Sequence, residues 1–303
     1  MMSPRARQLL RHCLATLAVA SFISVFAGAA AHAQQASSPA WAEVGRILGT
    51  PETPTGGYHR YNLPRRDLTV RIGDVTLAAA LALGGWAGFD GPPDDATVMG
   101  DLVVTTTEMQ PVLGELARQH IPVTAVHNHL AGESPAIFYV HIHAQGVATD
   151  LAARIDHAVA LTATPRPVGA APAGPVTIDT ATVFRVLGSQ GRAQGNVAQL
   201  SFMLVQEPVS MHGHAILPSL SYATPINVQA VSSTRLVATG DFAVLGRQLG
   251  SLLTALAAHG ITATAVHSHL VDEAPHVYYV HFWADGASAD VLSGLRAALD
   301  AAR

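Results

Sequence analysis

The stretch His127-Asn-His129-Leu-Ala-Gly-Glu133-Ser-Pro135-Ala-Ile-Phe-Tyr139-Val-His141 returns 140 residues later as His267-Ser-His269-Leu-Val-Asp-Glu273-Ala-Pro275-His-Val-Tyr-Tyr279-Val-His281. The chain is therefore a tandem duplication. Aligned without gaps from Asp101 and Asp241 over sixty residues, the copies share 11 of the 18 positions between Thr124 and His141 but only 10 of the other 42, so identity concentrates in this segment. The polar types it retains are imidazole and carboxylate, which are metal ligands and proton carriers.

Residues 123–130 and 137–144 read as two strands, and the six residues between them suit a hairpin. Side chains on a strand alternate faces, so His127 and His129 share one face, as do Tyr139, His141 and His143. Pairing 127 or 129 with 141 puts all of these on the same side, with Glu133 reaching in from the connection. The second copy repeats the pattern with His267, His269, His281 and Glu273, while Trp283 replaces His143. His127, His129, Glu133, His141 and His143, and then His267, His269, Glu273 and His281, are thus candidate metal ligands. Without a sulfur donor, Zn, Mn, Fe, Ni and Cu all remain open.

Three function classes fit these residues. The preferred one is binding of a divalent metal or small ligand by the duplicated hairpin. The second is a metal-dependent hydrolase or lyase, with Glu133 or Glu273 as general base or fourth ligand. The third is a structural or interaction protein whose histidines only hydrogen-bond within a half-buried sheet. An open coordination position favours the enzyme, a closed four-ligand shell the binder, and histidines in separate environments the structural protein.

The tandem H-x-H-L-x-x-E-x-P-x-x-x-Y-V-H pattern follows Thr-Ala-Val in both copies and is accompanied by Gly84-Gly85-Trp86-Ala87-Gly88-Phe89 in the first. In these features the chain resembles the LppY/LpqO family of exported bacterial proteins. The resemblance implies export and a duplicated α+β architecture, and brings no activity with it. The family's namesakes look like lipoproteins, whereas this chain has no cysteine placed to accept a lipid.

Outward from the hairpins, the expected fold is α+β, each repeat a mostly antiparallel sheet flanked by helices. Trp41, Val44 and Leu48 mark a short helix closed by Gly49; in repeat two Asp179 caps its equivalent and Gly188 stops it. Residues 68–72 with 75–83, and 200–205 with 215–222, read as strand pairs turning at Gly73-Asp74 and Gly213. Residues 99–104 form a further strand. A central helix begins at Thr107, with capping-box spacing to Gln110 and a stripe of Met109, Val112, Leu113 and Leu116; Leu249, Leu252, Leu253 and Leu256 repeat it. Closing helices run over residues 150–160 and 290–301. Asp101 and Asp241 read as turn or helix-start residues, and His212-Gly-His214, present only in repeat two, as a turn or strand pair.

Repeat one covers residues 34–163 and repeat two residues 177–303, joined by a Pro/Ala/Gly linker at 164–176. The two repeats are expected to pack on each other. Residues 1–33 read as a signal peptide: Arg5, Arg7 and Arg11 precede an apolar run from Leu14 to Ala30 that ends at Ala31-His32-Ala33. The expectation is a periplasmic or secreted protein, with no integral membrane segment after cleavage near Ala33. Cleavage also removes Cys13, the only cysteine, and with it disulfides and thiolate chemistry. Of 17 basic residues three precede the cleavage point, so the remainder carries 14 − 21 = −7, which offers no footprint for nucleic acid. None of the basic residues is lysine, which excludes a lysine Schiff base.

Overall fold

Apolar residues at alternate strand positions give each repeat one sheet face for its own helices and a second face for the other repeat. The computed structural model describes residues 38–53, 55–169, 174–211 and 213–303. The signal segment read over residues 1–33, and His212, lie outside them. Within the described residues, repeat one contributes β1 (Glu52–Thr53), β2 (His59–Pro64), β3 (Gly84–Asp90), β4 (Ala96–Thr105), β5 (Val123–Asn128) and β6 (Ile137–Gly146). Repeat two contributes β7 (Gly191–Gln194), β8 (Val197–Phe202), β9 (Thr224–Ala230), β10 (Arg235–Leu245), β11 (Thr262–His267) and β12 (Val277–Ala287). The sheet orders, β1-β2-β3-β4-β6-β5 and β7-β8-β9-β10-β12-β11, are the same topology twice. All pairings are antiparallel, so the α+β expectation holds.

The helices are α1 (Pro39–Leu48), α2 (Ala79–Ala82), α3 (Thr106–Arg118) and α4 (Ala148–Val159), then α5 (Thr180–Leu187), α6 (Pro218–Ser221), α7 (Gly246–Ala258) and α8 (Ser288–Ala301). On β4, β6, β10 and β12 the even-numbered residues meet the longer ones, and on β2 and β3 the odd-numbered Tyr61, Leu63, Ala87 and Phe89 do. Leu102, Val104, Val140 and Ile142 pack with Val44, Leu116 and Ile155 in one core, and Phe242, Val244, Val280 and Phe282 with Leu256, Leu295 and Leu299 in the other. The odd-numbered residues of β4, β6, β10 and β12 lie on the inner face: Val103 and Tyr139 share a cluster with Leu81, Val197 and Val237.

Short arms lock the repeats together. Ala78 N donates to Gln229 Oε1 and Gln199 Nε2 to Ala80 O, each at 2.8 Å, and Asn227 Nδ2 donates to Leu81 O at 2.8 Å, so α2 sits on the second sheet. Reciprocally, Leu220 of α6 joins Met99 of the first sheet in an apolar cluster. These arms depart from the sequence expectation, which extended strands through both segments. In the first segment the observed strands shrink to Arg71–Ile72 with Val75–Thr76; in the second, residues 200–202 do lie in a strand, β8, but it pairs with β9 and β7, and of residues 215–222 only Ala215 is in a strand, His214–Ala215, which pairs with Ser210–Met211. The alanine-rich run beyond the first, and the proline at the start of α6, favour helix instead.

Two further differences are local. The cap of α3 is Thr105, whose N–H donates to Glu108 Oε2 at 2.8 Å, rather than Thr107 with Gln110. β2, unread in the sequence, alternates buried His59, Tyr61 and Leu63 with polar residues. The close approach of β3 to β4 and of β9 to β10 requires glycine: a Cβ on Gly100 would lie 2.5 Å from Trp86 O, and one on Gly240 would lie 2.2 Å from Pro225 O. Both glycines immediately precede the retained aspartates.

Arg65, 1% exposed, donates to Val103 O at 2.8 Å, to Glu108 Oε2 at 2.7 Å and to Asp67 Oδ2 at 2.8 Å. Burial opposes ionisation of Glu108, but Arg65 and the N–H groups of Thr105 and Ala163 outweigh it and hold its pKa down at about 2. The stabilisation is complete above the ordinary value near 4.5 and fades as pH falls toward 2. Arg65→Leu is expected to cost about 3–5 kcal/mol at neutral pH in denaturant unfolding. The deficit should narrow below pH 4.

Candidate metal centre

In each hairpin the pairing carries one irregularity. Val123 pairs with Ile142 but Ala125 with His141, which places His127 opposite Tyr139; Ala263, Ala265, His267 and Tyr279 repeat this in the second copy. The register therefore lies two residues from the pairing of 127 with 141 and four from that of 129 with 141, and because both offsets are even, the shared face of the histidines survives. β5 ends at Asn128, leaving His129 in the connection, where its carbonyl accepts from Thr264 Oγ1 of repeat two at 2.8 Å.

The two imidazole faces meet each other. The ring centroids of His127 and His267 are 3.8 Å apart, those of His141 and His269 3.7 Å, and those of His129 and His281 4.0 Å. Two motifs that read as two sites thus converge into one cluster of six imidazoles, half from each repeat. Tyr279 stacks on His269 at 3.6 Å and Tyr139 lies 4.6 Å from His129. Tyr279 hydroxyl donates to Ser221 O at 2.9 Å, and Tyr139 hydroxyl to Ala82 O. The phenols therefore wall the cluster and anchor α2 and α6.

Two carboxylates that the sequence reading assigned to turn or helix-start roles also belong here. Asp101 lies mid-strand opposite His141, and Asp241 opposite His281. Their signal was present in the sequence: each acid interrupts an apolar strand, which is costly unless it is paired. His141 Nδ1 pairs with Asp101, and His141 Nε2 lies 2.7 Å from His127 Nε2, while His127 Nδ1 is 3.0 Å from Asn128 O. Satisfying all three contacts requires one proton more than an ionised carboxylate and two neutral imidazoles supply. Burial alone would raise the pKa of Asp101, but His141, His127 and the indole of Trp86 outweigh it and lower it. Asp241 is pushed well above the usual range by burial and then by the charge of Asp101.

The remaining imidazoles are held neutral. Burial first, then neighbouring imidazoles, lowers His127 to about 4, His129 to about 3 and His267 to about 2, and drives His269 and His281 well below their usual value. Buried nitrogens without a hydrogen-bond partner include His129 Nδ1, both nitrogens of His267, and His281 Nε2. One donor atom from each of His127, His267, His269 and His281 lies within 4.8 Å of the others. Tetrahedral zinc with Zn–N of ~2.0–2.1 Å needs its donors ~3.4 Å apart, so a modest contraction closes the group.

The other candidates stand around this group. His129 and His141 touch it through ring contacts. His143 lies farther along β6, opposite Met99. Glu133 Oε1 accepts from Ile137 N at 3.2 Å, and Glu273 Oε1 from Val277 N at 3.0 Å and from His276 Nδ1 at 2.8 Å. Both glutamates thereby brace the hairpin connections.

A family model described as Domain of Unknown Function (DUF1259) matches residues 42–161 and again residues 181–301. The chain belongs to this family. Each match contains one complete histidine hairpin, so the domain boundaries of the family follow the duplication. A search of curated proteins finds no match. Among solved structures, EtuB from Clostridium kluyveri aligns at 13% identity and a TM-score of 0.24, over 84% of this chain and 90% of that one. A likeness that slight carries no argument.

The depressed imidazole values fix a sign. Below about 6.5 the unfolded chain binds protons that the folded cluster refuses, so stability is full above that pH and declines as pH falls toward 4. Chelator-treated protein should show a falling melting temperature across this interval, and His127→Gln with His129→Gln should flatten the decline.

Proposed function

We propose that the chain binds one divalent transition-metal ion at a centre shared by its repeats, with His127, His267, His269 and His281 as ligands. The observation carrying this reading is the convergence of four imidazole donor atoms from two hairpins, at a place where buried nitrogens lack other partners. An all-imidazole set suits Zn, Cu, Fe or Ni better than Mn, which prefers oxygen donors. Bound metal would supply a missing partner at His267, His269 and His281, while His127, whose nitrogens face His141 Nε2 and Asn128 O, would exchange one of those contacts for the ion. Four ligands complete a tetrahedral shell, which supports a binding or buffering protein over a hydrolase or lyase.

The family membership and the motif together support the finer likeness to LppY/LpqO proteins, and the composition of residues 1–33 supports export to the periplasm or beyond. Among the described residues no helix is long and apolar enough to cross a membrane.

Metal analysis of the purified full chain, with and without supplementation, tests the reading. The expected result is one ion per chain. His267→Ala with His269→Ala and His281→Ala should abolish binding, and His127→Ala should weaken it. Two ions per chain would replace the shared centre with separate ones. No ion, with melting unmoved by added divalent metals, would sink the proposal.

A further inference from the structure

The repeats match in backbone but differ in what faces their buried aspartates. On β4, Asp101 pairs across to Trp86 of β3, whose Nε1 donates to Asp101 Oδ2 at 2.8 Å. On β10, the register that pairs Ile226 with Gly240 carries Pro225 to the corresponding place beside Asp241, and proline has no side-chain donor. Asp241 has His269 Nε2 and His281 Nδ1 only at 3.5 Å each. One aspartate is gripped and the other is not.

The grip is itself braced. Arg60 Cζ stands 4.2 Å over the Trp86 ring, while Arg60 Nε donates to Asn62 Oδ1 at 2.8 Å and Nη1 to Tyr58 hydroxyl at 3.2 Å. An indole N–H only donates and never changes charge, so it fixes which way the Asp101 carboxylate turns. That carboxylate meets His141, whose other nitrogen meets His127. A continuous chain of contacts therefore runs from Trp86 to one of the four imidazoles.

Building on the metal-binding reading above, we propose that Trp86 is a positioning residue of the metal centre: through Asp101 and His141 it sets the orientation of His127, the one ligand from repeat one. The repeat without this brace contributes three ligands, His267, His269 and His281, and the braced repeat one. Outer partners of metal-bound imidazoles typically govern affinity by about 10–100-fold; here the direct partner of His127 is His141, with Asp101 one step behind it.

The test uses the full-length protein with Trp86→Phe, which keeps a ring and removes the N–H, and Asp101→Asn as a second variant should the first fail to fold. Two readouts are taken: zinc affinity by chelator competition, and the side-chain nitrogen NMR signals of His141 and His127 in chelator-treated protein. Expected are a roughly 10–100-fold loss of zinc affinity and displaced His141 and His127 signals, with Pro225→Ala matching wild type in both. Wild-type affinity together with wild-type imidazole signals in either folded variant overturns the proposal. If the wild-type chain takes up no zinc while Trp86→Phe still displaces the imidazole signals, the positioning role stands and the metal reading falls. If zinc binds equally to both proteins, the positioning role falls alone.

Discussion

Six imidazoles pressed between two sheets are the constraint on which the rest of this structure turns. Each buried nitrogen left without a partner costs on the order of 1–3 kcal/mol, and several are in that position here. The surrounding architecture keeps them there. The longer helices pack on the outer faces, the tyrosines close the walls, and the arms of each repeat, with their short helices, hold the opposite sheet in place. A fold that accepts this cost without a ligand has no evident gain from it, whereas an ion bound by the folded state alone adds its binding free energy to stability.

Much of this was legible in the residues. The period of two in Thr124 to His141 gave the shared face of the histidines, and parity survived although the register differed by two or four, because any even shift preserves it. The duplication gave two equal sheets. The merging of two sites into one was not legible, since the residues that meet are 128 to 152 apart and no local pattern reports which faces of two sheets oppose each other. Nor did spacing report that Glu133 and Glu273 each accept from a local N–H group, at Ile137 and Val277.

Asp101 and Asp241 illustrate how tertiary context assigns a role that spacing does not. In sequence each precedes a helix, a position where an acid ordinarily serves the helix end. In the structure each lies in the middle of a long central strand, directly across from a histidine. The arms are a similar case. Their apolar runs suit a strand or a helix, and what decides between them is the other repeat, whose Gln199, Asn227 and Gln229 side chains satisfy the backbone groups of α2 and the turn before it.

The reciprocal arms also bear on what a duplicated gene can do that a pair of identical subunits cannot. In a symmetric dimer every substitution is made twice, so a tryptophan beside one aspartate would stand beside both. Joined in one polypeptide, the halves keep the interlocked geometry of a dimer while each position is inherited separately. Trp86 opposite Pro225, and His143 opposite Trp283, are differences of this kind, and they allow a nearly symmetric scaffold to present an asymmetric interior.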